Sequence, residues 1–212
     1  MKIGVLGTGE VGRALGKAFL ALGHDVKMGA REAGNAKSAA WAAEMGPKAS
    51  HGTFADATAF GEIVVLATLG MANESCLRAA GPERFRGKLV IDATNPLDVG
   101  SGTPPKLAAG ESGGELVQRL LPDARVVKAF NTVGNAHMFR PDFPGGPPDM
   151  FICGNDEEAK KRVTALLGEF GWNTIDVGGI GASHYLEAMC IVWVLAGVRG
   201  RTWNQAFKLL RK

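Results

Sequence analysis

Apolar residues along this chain fall into two alternating patterns. Short unbroken runs read as strands buried on both faces of a parallel sheet, and longer stretches with a 3.6-residue period read as amphipathic helices. The first run covers residues 2–6, Lys-Ile-Gly-Val-Leu, and the first helical stripe is Val11, Leu15, Ala18, Phe19 and Leu22, stopped by Gly23. A strand follows over 25–29, then an alanine-rich helix over 36–45 ended by Gly46-Pro47, a short strand over 48–50, and a brief helix capped by Thr53 and running to Phe60. Further strands are expected over 62–68, 88–92, 125–130, 149–153 and 172–177. Between them lie a helix over 72–80, one opened by a Ser112/Glu115 capping box and closed by Pro122, and one from Asn155 or Asp156 to Phe170. This alternation predicts an α/β fold, a doubly wound parallel sheet with right-handed crossovers.

The chain closes differently. Over 183–198, Leu186, Met189, Cys190, Trp193 and Gly197 mark one helical face, but Ile191, Val194, Leu195 and Val198 make the other apolar too. Such a helix must be covered on both sides, and the sheet can cover only one. The second cover is either the amphipathic-looking tail over 202–210 or another subunit, so a homodimer through the 183–198 helix is expected.

Composition narrows the function classes. At 212 residues the chain can build one substantial core, and 46% hydrophobic and 21% charged residues are ordinary for a globular protein. A net charge of +3 without a basic run gives no indication of nucleic-acid binding. The chain enters a strand at once, without a signal sequence, and its best apolar stretch, 189–198, falls far short of the ~18 residues of a membrane span. The 3 cysteines, Cys76, Cys153 and Cys190, are far apart and the 4 histidines form no ligand spacing, so no metal site is expected and a reducing, cytoplasmic location is. A Gly/Pro-rich loop over 98–110 is longer than usual connections, hence functional or mobile, and a second such loop spans 140–148.

The candidate chemistry lies at the start. Directly after the first strand, Gly7-Thr8-Gly9-Glu10-Val11-Gly12 matches G-x-G-x-x-G in the strand-to-helix setting that makes the motif meaningful. Gly7 permits the tight turn, Gly9 lets a pyrophosphate approach the backbone, and Gly12 lets the helix pack closely on the strand. Free N–H groups at the helix start then face the anion. Where NAD-specific sites carry an acidic residue at the end of the second strand, this chain has Gly29-Ala30-Arg31. A guanidinium can bind a 2′-phosphate that a carboxylate would repel, so the cofactor reads as NADP(H). Lys37 reads equally as a second phosphate contact or an exposed helix charge. Ligands in such sheets sit beyond the C-terminal strand ends, where Thr68, Asn95 and Asn131 occupy three successive positions. No catalytic residue is identified: His137 and His184 could donate a proton but read first as structural or surface residues, and Met189 and Trp193 as core or interface.

The glycine motif, Gly-Ala-Arg-Glu at 29–32, Asp-Ala-Thr-Asn-Pro-Leu at 92–97, Lys-Ala-Phe-Asn-Thr-Val at 128–133 and Phe-Ile-Cys-Gly-Asn at 151–155 together resemble the NADPH-dependent deazaflavin-coenzyme (F-420) reductases. The cytosolic reductase domain of the six-transmembrane metalloreductases is similar to these. The resemblance spans essentially the whole chain. It implies a Rossmann NADP(H)-binding domain over 1–180 with a helical extension over 181–212 that completes the site or a dimer interface. It further implies hydride transfer between NADPH and a small-molecule electron acceptor, a deazaflavin (F-420) or FAD/FMN. Carried over by position, Thr8, Gly9, Glu10 and Val11 would line the pyrophosphate and Ala30 and Arg31 the 2′-phosphate. Thr68, Leu69, Asn95, Asn131, Thr132 and Val133 would approach the nicotinamide end. Two other readings stay open: a non-catalytic NADP(H)-binding sensor or partner subunit, and a reductase of a small imine or carbonyl compound.

Overall fold

The computed structural model describes residues 1–98, 100 and 105–212. Its elements run β1 (Lys2–Leu6), α1 (Glu10–Ala21), β2 (Asp25–Ala30), α2 (Ala36–Met45), β3 (Ala49–Thr53), α3 (Phe54–Phe60), β4 (Ile63–Leu66), α4 (Asn73–Ala80), β5 (Leu89–Asp92), β6 (Leu97–Asp98), β7 (Lys106–Leu107), α5 (Gly113–Leu120), β8 (Arg125–Lys128), β9 (Asp149–Gly154), α6 (Glu157–Phe170), β10 (Asn173–Asp176) and α7 (Ser183–Gly200). Eight strands form one sheet in the order β10-β9-β8-β5-β4-β1-β2-β3, with the small β6/β7 pair apart from it. The order reverses at β1/β4, which marks the crevice where an open sheet of this type takes its ligand.

Local chemistry accounts for the element ends. Thr53 and Asp56 form a capping box on α3, as Ser112 and Glu115 do on α5, and Asn35 and Asp156 cap α2 and α6 through their side chains. Helices cover both faces. Leu15, Phe19, Trp41, Val163 and Phe170 pack one core, and Ala57, Leu77, Phe85, Val117 and Leu186 pack the other. A Cβ on Gly16 of α1 would fall 2.7 Å from the Trp41 ring, so the glycine there is what lets the indole bury.

The expected α/β fold with a mostly parallel sheet is met, and two details differ. The sheet is not parallel throughout: β8 pairs antiparallel with β9, Lys128 opposite Cys153, and β10 runs parallel to β9. The connection from β8 to β9 holds only a 3-10 turn at Asn135–His137. A parallel return needs a crossover element to carry the chain back across the sheet, and without one β9 enters from the end at which β8 leaves. Second, the apolar C-terminal segment is longer than the 189–198 stretch suggested. Ile180–Gly200, 21 residues containing an 18-residue window of mean hydropathy 1.4, is long and apolar enough to cross a membrane by length and composition alone. It is also built into the fold, with Ser183, Leu186, Glu187 and Cys190 all buried.

The tail beyond α7 forms neither helix nor strand and covers part of that helix. The Trp203 ring lies against Gly197 and 5.2 Å from the Trp193 ring, Trp193 Nε1 donates to the Gln205 carbonyl, and Phe207 and Leu209 bond Asp149 at the start of β9. Val192, Leu195 and Val198 remain exposed. Residues 99 and 101–104, in the loop singled out from the sequence, lie outside the described residues, and its flanks pair as β6 and β7.

A buried charge cluster fastens α7 to the sheet. Lys128, at the end of β8, places Nζ 2.7 Å from Asp92 Oδ2 at the end of β5 and 2.8 Å from Glu187 Oε1 on α7, all three side chains being 0–1% exposed. Glu187 also accepts the Gly113 and Gly114 N–H groups, so its charge sits on the positive end of α5. Burial alone would depress the Lys128 ammonium, but the two carboxylates outweigh it and hold its pKa above the ordinary 10.5. Breaking such a cluster leaves charge buried without a partner, so Lys128→Met should destabilise the fold by about 3–5 kcal/mol in chemical denaturation. Because the folded pKa is raised, the contribution is fully present below 10.5 and lost as pH climbs through the folded value. A wild-type stability that is flat over that alkaline range would contradict the assignment.

Candidate functional site

The C-terminal ends of β1, β2, β4 and β5 open into a cleft of about 800 Å³. Its floor is the glycine turn. Gly7 has φ 130°, a conformation side chains rarely adopt, and its N–H donates to the Gly29 carbonyl at 3.1 Å. A Cβ on Gly12 would strike the Gly7 carbonyl, so Gly12 sets how closely α1 approaches β1. Gly9 differs: a Cβ there would meet nothing within 4 Å, pointing instead into open space. Gly9 is also the N-cap of α1 and supplies no side-chain cap, so the first N–H groups of the helix, from Glu10 and Val11 onward, face that space without a side-chain acceptor. This is the cradle a pyrophosphate requires, and the residues present fit it.

At one end lie Ala30 and Arg31. Arg31 is exposed at the rim and makes no hydrogen bond or ion pair among the described residues, so its guanidinium is available to an incoming anion. Asn35 and Phe54 complete this end, and the sequence reading missed both. Phe54 follows Thr53 at the end of β3, so the strand-end rule that selected Thr68 would have found it; Asn35 was legible only as a helix cap. Lys37 is exposed and does not line the cleft.

At the other end lie Thr68, Leu69 and Asn95; Met71, Ser75, Cys76 and Thr94, which were not anticipated, also line the cleft. Leu69 and Met71 are 81% and 62% exposed, apolar side chains standing at the mouth. Burial pushes the Cys76 thiol up to about 12, the Arg31 charge offsetting this only in part. Asn131, Thr132 and Val133 are buried and do not line the cleft. Asn131 is tied to it through Asn95: Asn131 Nδ2 donates to Asn95 Oδ1 at 3.0 Å and to the Leu186 carbonyl, and Asn95 Nδ2 donates back to the Asn131 carbonyl. The reason is α7, which closes over the loop after β8, with Trp193 packed on Gly134. The histidines stand outside the cleft as well. His137 bonds Asn204 at 3.1 Å, and His184 is exposed beside Tyr185.

Comparison with known proteins accords with this geometry. A family model described as NADP oxidoreductase, coenzyme F420-dependent, matches residues 2–96. The F420-dependent NADP reductase of Methanocaldococcus jannaschii is 33% identical over 202 residues, 89% of each chain. The chain belongs to this family. As a member it is an NADP-dependent oxidoreductase. A crystal structure of an Arthrobacter sp. FB24 protein, provisionally assigned as an F420-dependent NADP reductase, is 39% identical and superposes with a TM-score of 0.93 over 100% of both chains. The rat metalloreductase STEAP3 is 27% identical over 188 residues, 89% of this chain, which spans only 36% of that relative's length. The resemblance read from the sequence motifs is therefore met.

The glycine geometry separates folding from binding. Gly9→Ala should leave the thermal midpoint essentially unchanged while reducing NADPH affinity by at least about tenfold, because its Cβ enters only the cradle. Gly12→Ala should lower both, and equal midpoints for the two variants would refute the distinction.

Proposed function

We propose that the protein transfers hydride between NADPH and a flavin-type or deazaflavin-type acceptor at the Thr68/Asn95 end of the cleft. The observation that carries the reading is the polarity of the cleft: an unpaired guanidinium at one end, bare helix N–H groups in the middle, and a polar floor beneath exposed apolar side chains at the other. NADPH would lie with its 2′-phosphate at Arg31, its pyrophosphate over Gly9, Glu10 and Val11, and its nicotinamide half toward Thr68 and Asn95. Bound there, the nicotinamide supplies or takes up hydride, and one proton balances the two-electron change on the acceptor.

The chain's own part is positioning more than acid–base chemistry. Leu69 and Met71 offer an apolar platform for a planar ring and displace water from it. Asn95, braced by the buried Asn131, keeps its side chain fixed at the cleft. Among the described residues no histidine lines the cleft.

Arg31→Ala should weaken NADPH far more than NADH in fluorescence titrations, by about 1–2 orders of magnitude for the phosphorylated form; equal loss for both would remove the case for phosphate recognition. Stopped-flow NADPH oxidation with deazaflavin, FMN, FAD and ferric chelates identifies the acceptor. Tight NADPH binding with no acceptor-dependent oxidation across that panel would turn the reading toward a sensor.

A further inference from the structure

Thr68 is the exposed end of a chain of hydrogen bonds whose other end is the buried Lys128 charge. Lys128 Nζ donates to Asp92 Oδ2 at 2.7 Å, and Asp92 Oδ1 accepts both the Thr94 N–H at 3.0 Å and the Thr94 hydroxyl at 2.7 Å. Asn73 Nδ2 donates to Thr94 Oγ1 at 2.7 Å, and Thr68 Oγ1 donates to Asn73 Oδ1 at 2.8 Å. Asp92, Thr94, Asn73 and Lys128 are all buried, and Thr68 alone is half-exposed, lining the cleft.

The direction of every bond in this chain is forced. A carboxylate paired with an ammonium only accepts, so the single Thr94 proton goes to Asp92. The Thr94 oxygen must then accept, which turns the amide N–H₂ of Asn73 toward it and leaves the amide oxygen facing Thr68. That oxygen takes the one proton Thr68 has. What Thr68 presents to the cleft is therefore a lone pair and never a proton.

We propose that Lys128, Asp92, Thr94 and Asn73 are positioning residues that lock the Thr68 hydroxyl as an acceptor, making Thr68 a specificity residue for a hydrogen-bond donor on the nicotinamide half of the dinucleotide. The inference rests on the orientation of NADPH proposed above. The donors on that half are the carboxamide N–H₂ and the ribose hydroxyls, and the same polarity excludes Thr68 as the source of the proton that balances hydride transfer. A neutral hydroxyl in solvent would adapt to either kind of partner; this one cannot, because reversing it would leave an unpaired polar group inside the fold.

The test measures dissociation constants for NADPH and two analogues. One is the reduced 3-acetylpyridine analogue, in which a methyl replaces the carboxamide N–H₂, and the other is NADPH lacking both hydroxyls of its nicotinamide ribose. Wild type should bind at least one analogue about tenfold more weakly than NADPH, the size expected for one lost hydrogen bond; which analogue suffers identifies the donor. Thr68→Ser should keep that ratio and Thr68→Val should bring it to about one. Asn73→Leu, with folding checked by its thermal transition, frees the hydroxyl to rotate and donate, so where the acetylpyridine analogue is the one that suffers its penalty should shrink although Thr68 is intact, whereas a merely structural Asn73 would weaken all three ligands alike. Ratios in Thr68→Val equal to those of wild type, with NADPH still bound, overturn this inference alone. Failure of wild type to bind NADPH overturns the orientation itself and this inference with it.

Discussion

A single ammonium group, Lys128 Nζ, sits between two carboxylates in a region closed to water. Taking three charges out of solvent is costly, and the arrangement holds only because each remaining valence is used: Asp92 by Thr94, Glu187 by the first N–H groups of α5. The three residues come from β5, β8 and α7. Their mutual attraction fixes the last helix against the sheet at the strand ends that form the cleft. An aliphatic trio of the same volume could pack there, but it would impose no bond direction on its neighbours. The ion cluster does, and its polarity is transmitted through Thr94 and Asn73 to the wall of the site.

The glycine turn works by omission of side chains. Gly7 is required by its backbone angle, Gly12 by the carbonyl its Cβ would strike, and Gly9 by nothing inside the protein at all. A residue whose smallness relieves no internal crowding, placed where a helix presents uncapped N–H groups, is explained by something that comes from outside. Arg31 makes the complementary statement in charge: a cation at the rim with no partner among the described residues.

Much of this was legible in the sequence. Alanine content with the Gly46-Pro47 stop gave α2 its bounds, the Thr53 cap did so for α3, and apolar runs located nearly every strand, because buried strands carry a plain local pattern. The reversal of β9 was not legible, since a strand's pattern is the same in either direction; only the lack of a helix between β8 and β9 hinted at it. In the site, glycines and Arg31 were found through spacing that a motif preserves. The Lys128 cluster was missed because Asp92, Lys128 and Glu187 are distant in sequence, and a charged residue inside an apolar strand reads as an edge until its partners are seen. Asn131, Thr132 and Val133 occupy the expected strand end, but the covering helix that buries them is a tertiary fact.

The three cysteines add a practical consequence. Burial pushes Cys76 and Cys153 up to about 12 and Cys190 up to about 11, so each stays a neutral thiol near neutrality, slow toward electrophiles. They sit in α4 beside the cleft, in β9 and in α7. Any alkylation they undergo therefore measures how often that part of the molecule opens, and the chain carries three built-in clocks for breathing at separate places in one fold.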